Sequence, residues 1–316
     1  PDGGAAALTG ELCWNEQTYE YRCKRSADKY IRPLSHRIEA WLDYEEDLAS
    51  AICTWLTTPR GRNPGRGIAV TQPCDRPIEL DVPYPAGALV EVRMKDKQVA
   101  RQEVRVKDIF VVGLGDSFAS GEGNPDVPVR FSRERSADYG APTENIQLAG
   151  YPARVGGWRK IGDRDFIKHN AKWLDQACHR SLYSHQLRAA LQLAIEDPHR
   201  AVTYLGYACS GAEITKGLFL RYKGNEWVPK PPALSQLSAV ARAQCGERSA
   251  PLKDYPEAFH MREKIPDLKG SVILHKCPRD HARKIDLMLV SIGGNDIGIA
   301  RLVASAVLRD KSDLKR

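Results

Sequence analysis

The chain has 316 residues, 42% hydrophobic and 28% charged, the composition of an ordinary globular protein about two domains long. This excludes disorder, collagen-like repeats and coiled coil as descriptions of the whole, and no apolar run approaches the roughly 20 residues that cross a bilayer. Lys and Arg total 47 against 40 Asp and Glu, a net charge of +7 spread along the chain, so no nucleic-acid partner is indicated.

The chain opens at Pro1-Asp2 without a methionine or signal sequence, which reads as a processed or trimmed N-terminus. Residues 1–106 are expected to form a disulfide-containing, β-sandwich-like domain, with Pro1–Pro33 a looped lead-in. Ile38, Ala40 and Leu42 alternate with Arg37, Glu39 and Trp41, and Ala51–Leu56 is a second apolar run. A helix through Ser35–Leu56 competes, because Ile38, Trp41, Leu42, Ile52 and Leu56 partly fit a 3.6 period. The neighbours favour strands: IAVTQPC, RPIELDV, ALVEVRM and QVARQEVRV follow, each strand-length and punctuated by Pro, Gly or Asp. Trp14, Trp41 and Trp55 could offer faces to a sugar ring, though tryptophan in a sandwich is more often core.

The eight cysteines (13, 23, 53, 74, 178, 209, 245 and 277) form no CxxC pair, and HExxH is absent, so zinc spacing is lacking. An even count without metal spacing points to disulfides and an oxidising compartment, secreted or periplasmic. The sequential pairing 13–23, 53–74, 178–209, 245–277 is the simplest.

From residue 107 to 316 the period changes. Asp108–Leu114, Ala201–Tyr207 and Ile285–Ile292 are continuous apolar runs, as strands buried on both faces should be. Helical patterns alternate with them: Ser184–Glu196 puts Leu187, Ala190, Leu191, Ala194 and Ile195 on one face, and Ala233–Gln244 and Asp296–Arg309 behave similarly. This predicts an α/β domain around a parallel sheet. Two polar stretches, 124–180 and 217–270, interrupt it and are expected to cover one end of the sheet.

Three segments lie just past strand ends, where such sheets carry their chemistry. They are Gly115-Asp116-Ser117-Phe118-Ala119-Ser120-Gly121-Glu122-Gly123, then Cys209-Ser210-Gly211-Ala212, then Gly293-Gly294-Asn295-Asp296. A dinucleotide fingerprint starting at Gly113 fails, because Phe118 occupies its third glycine position. In this order, each after a predicted strand, the three segments resemble the first three blocks of the SGNH (GDSL-type) hydrolase family. The resemblance implies a flavodoxin-like three-layer domain, and a secreted serine esterase acting on O-acyl groups of glycans or on lipid esters, with no metal or organic cofactor. It assigns Ser117 as nucleophile, and the N–H of Ser117, the N–H of Gly211 and the Asn295 amide as the oxyanion hole; it further implies a Cys178–Cys209 bridge beside CHRSLYS. The bland alternative makes Ser117 and Asn295 helix caps.

The pattern breaks at the general base. The family's histidine lies in a DxxH block downstream of the third block, yet no histidine follows His281, and none of the eight has an aspartate three residues before it. Glu196-Asp197-Pro198-His199 and Glu257-Ala258-Phe259-His260 are the nearest approximations, and both precede the third block. A C-terminal fragment or second chain carrying the base is therefore expected. The alternatives are an inactive, hydrolase-like protein that binds an ester-bearing glycan, and a structural surface protein.

Overall fold

A computed structural model describes residues 14–15, 20–21, 30–44, 48, 50–61, 65–128, 171–225, 231–245, 250–255, 272–278, 282–299 and 302. They fall into two units: one built on Asp28–Ile109 with Ala194–Ala201, the other on Phe110–Leu193 and Val202–Arg316, to which Cys13–Ala27 also belongs. In the latter, β1 (Trp14–Asn15) pairs antiparallel with β2 (Glu20–Tyr21); the rest of the expected lead-in up to residue 29 lies outside the described residues.

The first unit carries β3 (Ser35–Ala40), β4 (Ile52–Pro59), β5 (Ile68–Pro73), β6 (Ile78–Pro83), β7 (Ala88–Met94) and β8 (Lys97–Val104). β3 pairs antiparallel with β6, while the others form an antiparallel sheet of order β5-β4-β7-β8. Period-two alternation explains these strands. In β6, Ile78, Leu80 and Val82 are buried while Glu79 and Asp81 face water. In β4, Cys53, Trp55 and Thr57 turn inward. One core takes Trp55, Val90 and Val92 from the larger sheet and Ile78 and Leu80 from the smaller. Helix from 35 to 56 is not formed; only the strand period hides Ile38 and Trp55 in this core. Trp55 is core at 3% exposure, whereas Trp41 is exposed at 67%.

In the second unit the order is β9 (Lys107–Gly115, beginning in the first unit), α1 (Ser117–Ser120), α2 (His185–Ile195), β10 (Arg200–Gly206), α3 (Gln236–Cys245), β11 (Ala250–Tyr255), β12 (Val272–Lys276) and β13 (Leu287–Ser291). β10, β9 and β13 form a three-stranded sheet in that order, with β13 parallel to β9 from Leu287↔Val111 to Ser291↔Gly115. β11 and β12 make a separate antiparallel pair.

This corrects the fold class read from the sequence. The described residues are mostly strand, thirteen strands against three helices, and four of the five sheets are antiparallel or two-stranded. No flavodoxin-like three-layer α/β arrangement is present among them. Continuous apolar runs misled, because they do not reveal whether both faces are covered. β9 does behave as a central strand, with Phe110, Val111 and Val112 fully buried. β13 is an edge strand, and its Leu287, Met288 and Val290 are 37%, 47% and 51% exposed. Most of the helix expected over 296–309, and large parts of 124–180 and 217–270, lie outside the described residues.

Disulfides join Cys53 to Cys74, Cys178 to Cys209 and Cys245 to Cys277; the Cys13–Cys23 pairing lies outside the described residues. Among the described residues no helix is long and apolar enough to cross a membrane.

Because Trp55 is the largest side chain in the first unit's core, Trp55→Ala should destabilise that unit by about 3–5 kcal/mol. Thermal unfolding followed by circular dichroism would show it; an unchanged transition would mean the two sheets do not depend on that core.

Candidate active site

The end of β9 is where the chemistry gathers. Gly115 adopts φ +149°, and a Cβ there would overlap the Ser291 carbonyl oxygen and come within 2.6 Å of the Ala119 Cβ. Only glycine lets β9 turn this sharply against β13. The peptide groups of Gly115 are satisfied by a side chain. Gln236 at the start of α3 accepts from the Gly115 N–H at 2.8 Å and donates to the Gly115 carbonyl at 2.7 Å. A second buried glutamine, Gln186 on α2, donates to the carbonyls of Leu114 (2.9 Å) and Leu289 (3.1 Å), tying β9 to β13.

Ser117 is the first residue of α1 and is half-buried. Asp116 caps that turn: its carboxylate accepts the Phe118 N–H at 3.1 Å, and its own N–H donates to the Ser291 carbonyl at 2.9 Å. Asp116 therefore shapes the turn, and Ser117 is not the cap. Phe118 is 74% exposed.

The second block follows β10. The Cys209 N–H donates to the Gly115 carbonyl at 3.0 Å, which sets this block beside the first. Gly211 sits at φ +82°, where an added Cβ would overlap the Tyr222 hydroxyl. Among the described residues nothing accepts a hydrogen bond from the Gly211 N–H. The third block follows β13. The Asn295 amide nitrogen donates to the Ala212 carbonyl at 2.8 Å, fixing the side chain while its second hydrogen remains a donor. Asp296 holds the same region, both carboxylate oxygens lying 3.1 Å from the Ile214 N–H.

Ser117, Gly211 and Asn295 thus lie on three loops that are hydrogen-bonded to one another at one end of the β10-β9-β13 sheet. No histidine side chain among the described residues is hydrogen-bonded to Ser117, Gly211 or Asn295. Among the described residues no hydrogen bond reaches the Ser117 hydroxyl. His185 has Nδ1 3.2 Å from the Phe118 carbonyl and its ring centroid 5.0 Å from the Phe118 ring. His199 is an exposed residue past α2. His36 lies on β3 in the first unit, and His179 is fully buried. His169, His260 and His281, and the side chain of His275, lie outside the described residues.

Two titrations are shifted near these loops. Burial pushes the Tyr207 phenol above its usual value against the opposing pull of the Arg180 charge, so Tyr207 stays neutral. Burial also raises the Asp126 carboxyl, despite hydrogen bonds from the Leu182 and Leu174 N–H groups and the Ser181 hydroxyl.

The sequence reading missed the polar residues that hold the loops. Gln186 lies one position off the apolar stripe of its helix, yet it is buried where Leu191 and Ile195 are exposed. Gln236 carried no motif at all. No family model matches the chain, and neither a curated protein nor a solved structure does.

Gly211→Ala should lower the melting temperature, by the equivalent of at least about 1–2 kcal/mol, since alanine is strained at positive φ and meets Tyr222. Adding Tyr222→Ala should relieve the overlap but not the backbone strain. A double variant no more stable than the single one would mean that Tyr222 does not confine the loop.

Proposed function

We propose that this protein is a serine esterase of the SGNH type, secreted or periplasmic, that hydrolyses carboxylic esters through an acyl-enzyme on Ser117. The observation that carries the proposal is the meeting of three loops at one sheet end, which carry a half-buried serine, a glycine N–H that has no acceptor among the described residues and an amide held in place by a backbone carbonyl. These are the groups that acyl transfer needs. Ser117 Oγ attacks the ester carbonyl carbon, and the carbonyl oxygen gains negative charge. In this reading the N–H groups of Ser117 and Gly211 and the second Asn295 amide hydrogen are the donors that meet that oxyanion. The alcohol then leaves with a proton, and water attacks the acyl-serine to regenerate the hydroxyl.

The proposal also requires an imidazole to take the Ser117 proton. The family resemblance assigns it to a DxxH block beyond the third block, carried by a C-terminal fragment or a second chain. The substrate class is an O-acylated polysaccharide or a lipid ester, and no metal or organic cofactor takes part in the proposed reaction. Three disulfides support the oxidising compartment.

One observation favours a second reading, a hydrolase-like protein that binds the ester without cleaving it: no histidine is bonded to Ser117 among the described residues. A fluorophosphonate probe separates the two. The esterase should label once, at Ser117, with labelling abolished by Ser117→Ala and slowed about 10²–10³-fold by Asn295→Ala. A folded protein that resists the probe and still retains acylated glycan on an affinity column would establish the binder instead.

A further inference from the structure

Beside the first and second blocks lies a polar cluster, largely buried, with no part in the chemistry just described. His179 is fully buried, with its ring stacked on Trp173 at a centroid distance of 3.9 Å and an interplanar angle of 10°. Its Nδ1 lies 3.6 Å from one carboxylate oxygen of Glu122. The other oxygen of Glu122 accepts a hydrogen bond from the Ser210 hydroxyl. Glu122 closes the turn that begins at Ser117, its N–H donating to the Ser117 carbonyl at 3.2 Å. Ser210 immediately precedes Gly211 and is 1% exposed, too enclosed to meet a substrate itself. The carboxylate thus spans the first block and the second.

The loop that presents His179 is anchored to the same two blocks. The Ser181 N–H donates to the Ser120 carbonyl at 2.9 Å, and the Ser210 N–H donates to the Cys178 carbonyl at 2.9 Å. Cys178 is bonded to Cys209, and the Arg180 guanidinium reaches the Ala208 carbonyl at 3.5 Å. His179 itself adopts φ +50°, an unfavourable backbone for a residue other than glycine. Such a conformation persists only where the surroundings over-determine it. Here they do so through the Trp173 stack, the Glu122 carboxylate and the adjacent disulfide.

The Glu122 carboxylate is only partly buried, at 21% side-chain exposure, and it faces a fully buried imidazole and a buried hydroxyl. Its distinct contribution is to specify one arrangement of the groups around it. We infer that Glu122 is a positioning residue for the proposed acyl-transfer site: by accepting from Ser210 and facing His179, it fixes the Gly211 N–H relative to Ser117. The catalytic part of this inference rests on the esterase reading, while the link itself rests on the buried contacts alone. It gives the oxyanion hole a rigidity that two independent loops would lack, and misplacement by about 1 Å can cost about 10²-fold in rate.

The test uses the full chain in two measurements. Hydrogen exchange read by mass spectrometry should show residues 208–213 exchanging at least tenfold faster in Glu122→Ala and in Ser210→Ala, with β9 unchanged. Fluorophosphonate kinetics should show Glu122→Ala lowering the maximal labelling rate of Ser117 at least tenfold, with little change in the half-saturating probe concentration. Glu122→Gln, whose amide oxygen still accepts from Ser210, should recover most of both. Unchanged exchange at 208–213 in both truncations, or a Gln variant as damaged as the Ala variant, would overturn the link. Faster exchange with unchanged labelling would overturn the positioning role. If the wild type takes no label, the esterase reading fails and the exchange result alone decides whether Glu122 holds the loop.

Discussion

The peptide of Gly115 is the point on which the second unit's architecture turns. A strand that ends in the middle of a sheet and folds back at once leaves backbone donors and acceptors in a buried place, where each unmet group costs about 1–3 kcal/mol. Here both groups of Gly115 are met by one side chain, the Gln236 amide, and the carbonyl is met again by the Cys209 N–H. Those bonds do more than satisfy β9. They bring α3 and the loop after β10 to the same peptide, and the adjacent Asp116 N–H brings the end of β13. The three loops meet because one strand end needs partners from all of them.

That logic sets what was legible beforehand. Alternation fixed the strands of the first unit, because one face of each sheet is buried and a strand period of two is visible in residues such as Ile78, Leu80 and Val82. The three loops were legible as motifs, since glycine at a positive φ and polar residues just past an apolar run follow from local chain geometry. The layering was not. β9 and β13 are both continuous apolar runs, yet one is sealed and the other stands at an edge. A run of Leu, Met and Val carries no information about its neighbours.

The supporting polar residues were illegible for a different reason. Gln186 and Gln236 act on backbone atoms 72 to 121 positions away in sequence. Apolar periodicity does not mark them, because they are polar residues in buried faces: on α3, Gln236 shares its buried face with Val240, Ala243 and Gln244. The face buried on α2 differs from the one expected: Gln186 and Ala190, four residues apart, are buried, whereas Leu191 and Ile195 are largely exposed. Glu122, His179 and Ser210 also depend on non-local folding, and two of them lie directly beside cysteines of the bridge that brings them together.

The three loops are consequently supported unequally. The first is enclosed by buried strand, two glutamines and the Asp116 cap. The second is locked by a disulfide closing a sequence separation of 31, a constraint worth about 3–4 kcal/mol on the unfolded chain. The third follows an edge strand whose side chains face solvent, and Ile297 and Ile299 beyond it are 70% and 48% exposed. Among the described residues, the bonds of Asn295 to Ala212 and of Asp296 to Ile214 tie it to the second block. The amide of Asn295 is thus both a candidate oxyanion donor and a tether for its own loop, two uses that the two hydrogens of one side-chain nitrogen allow at once.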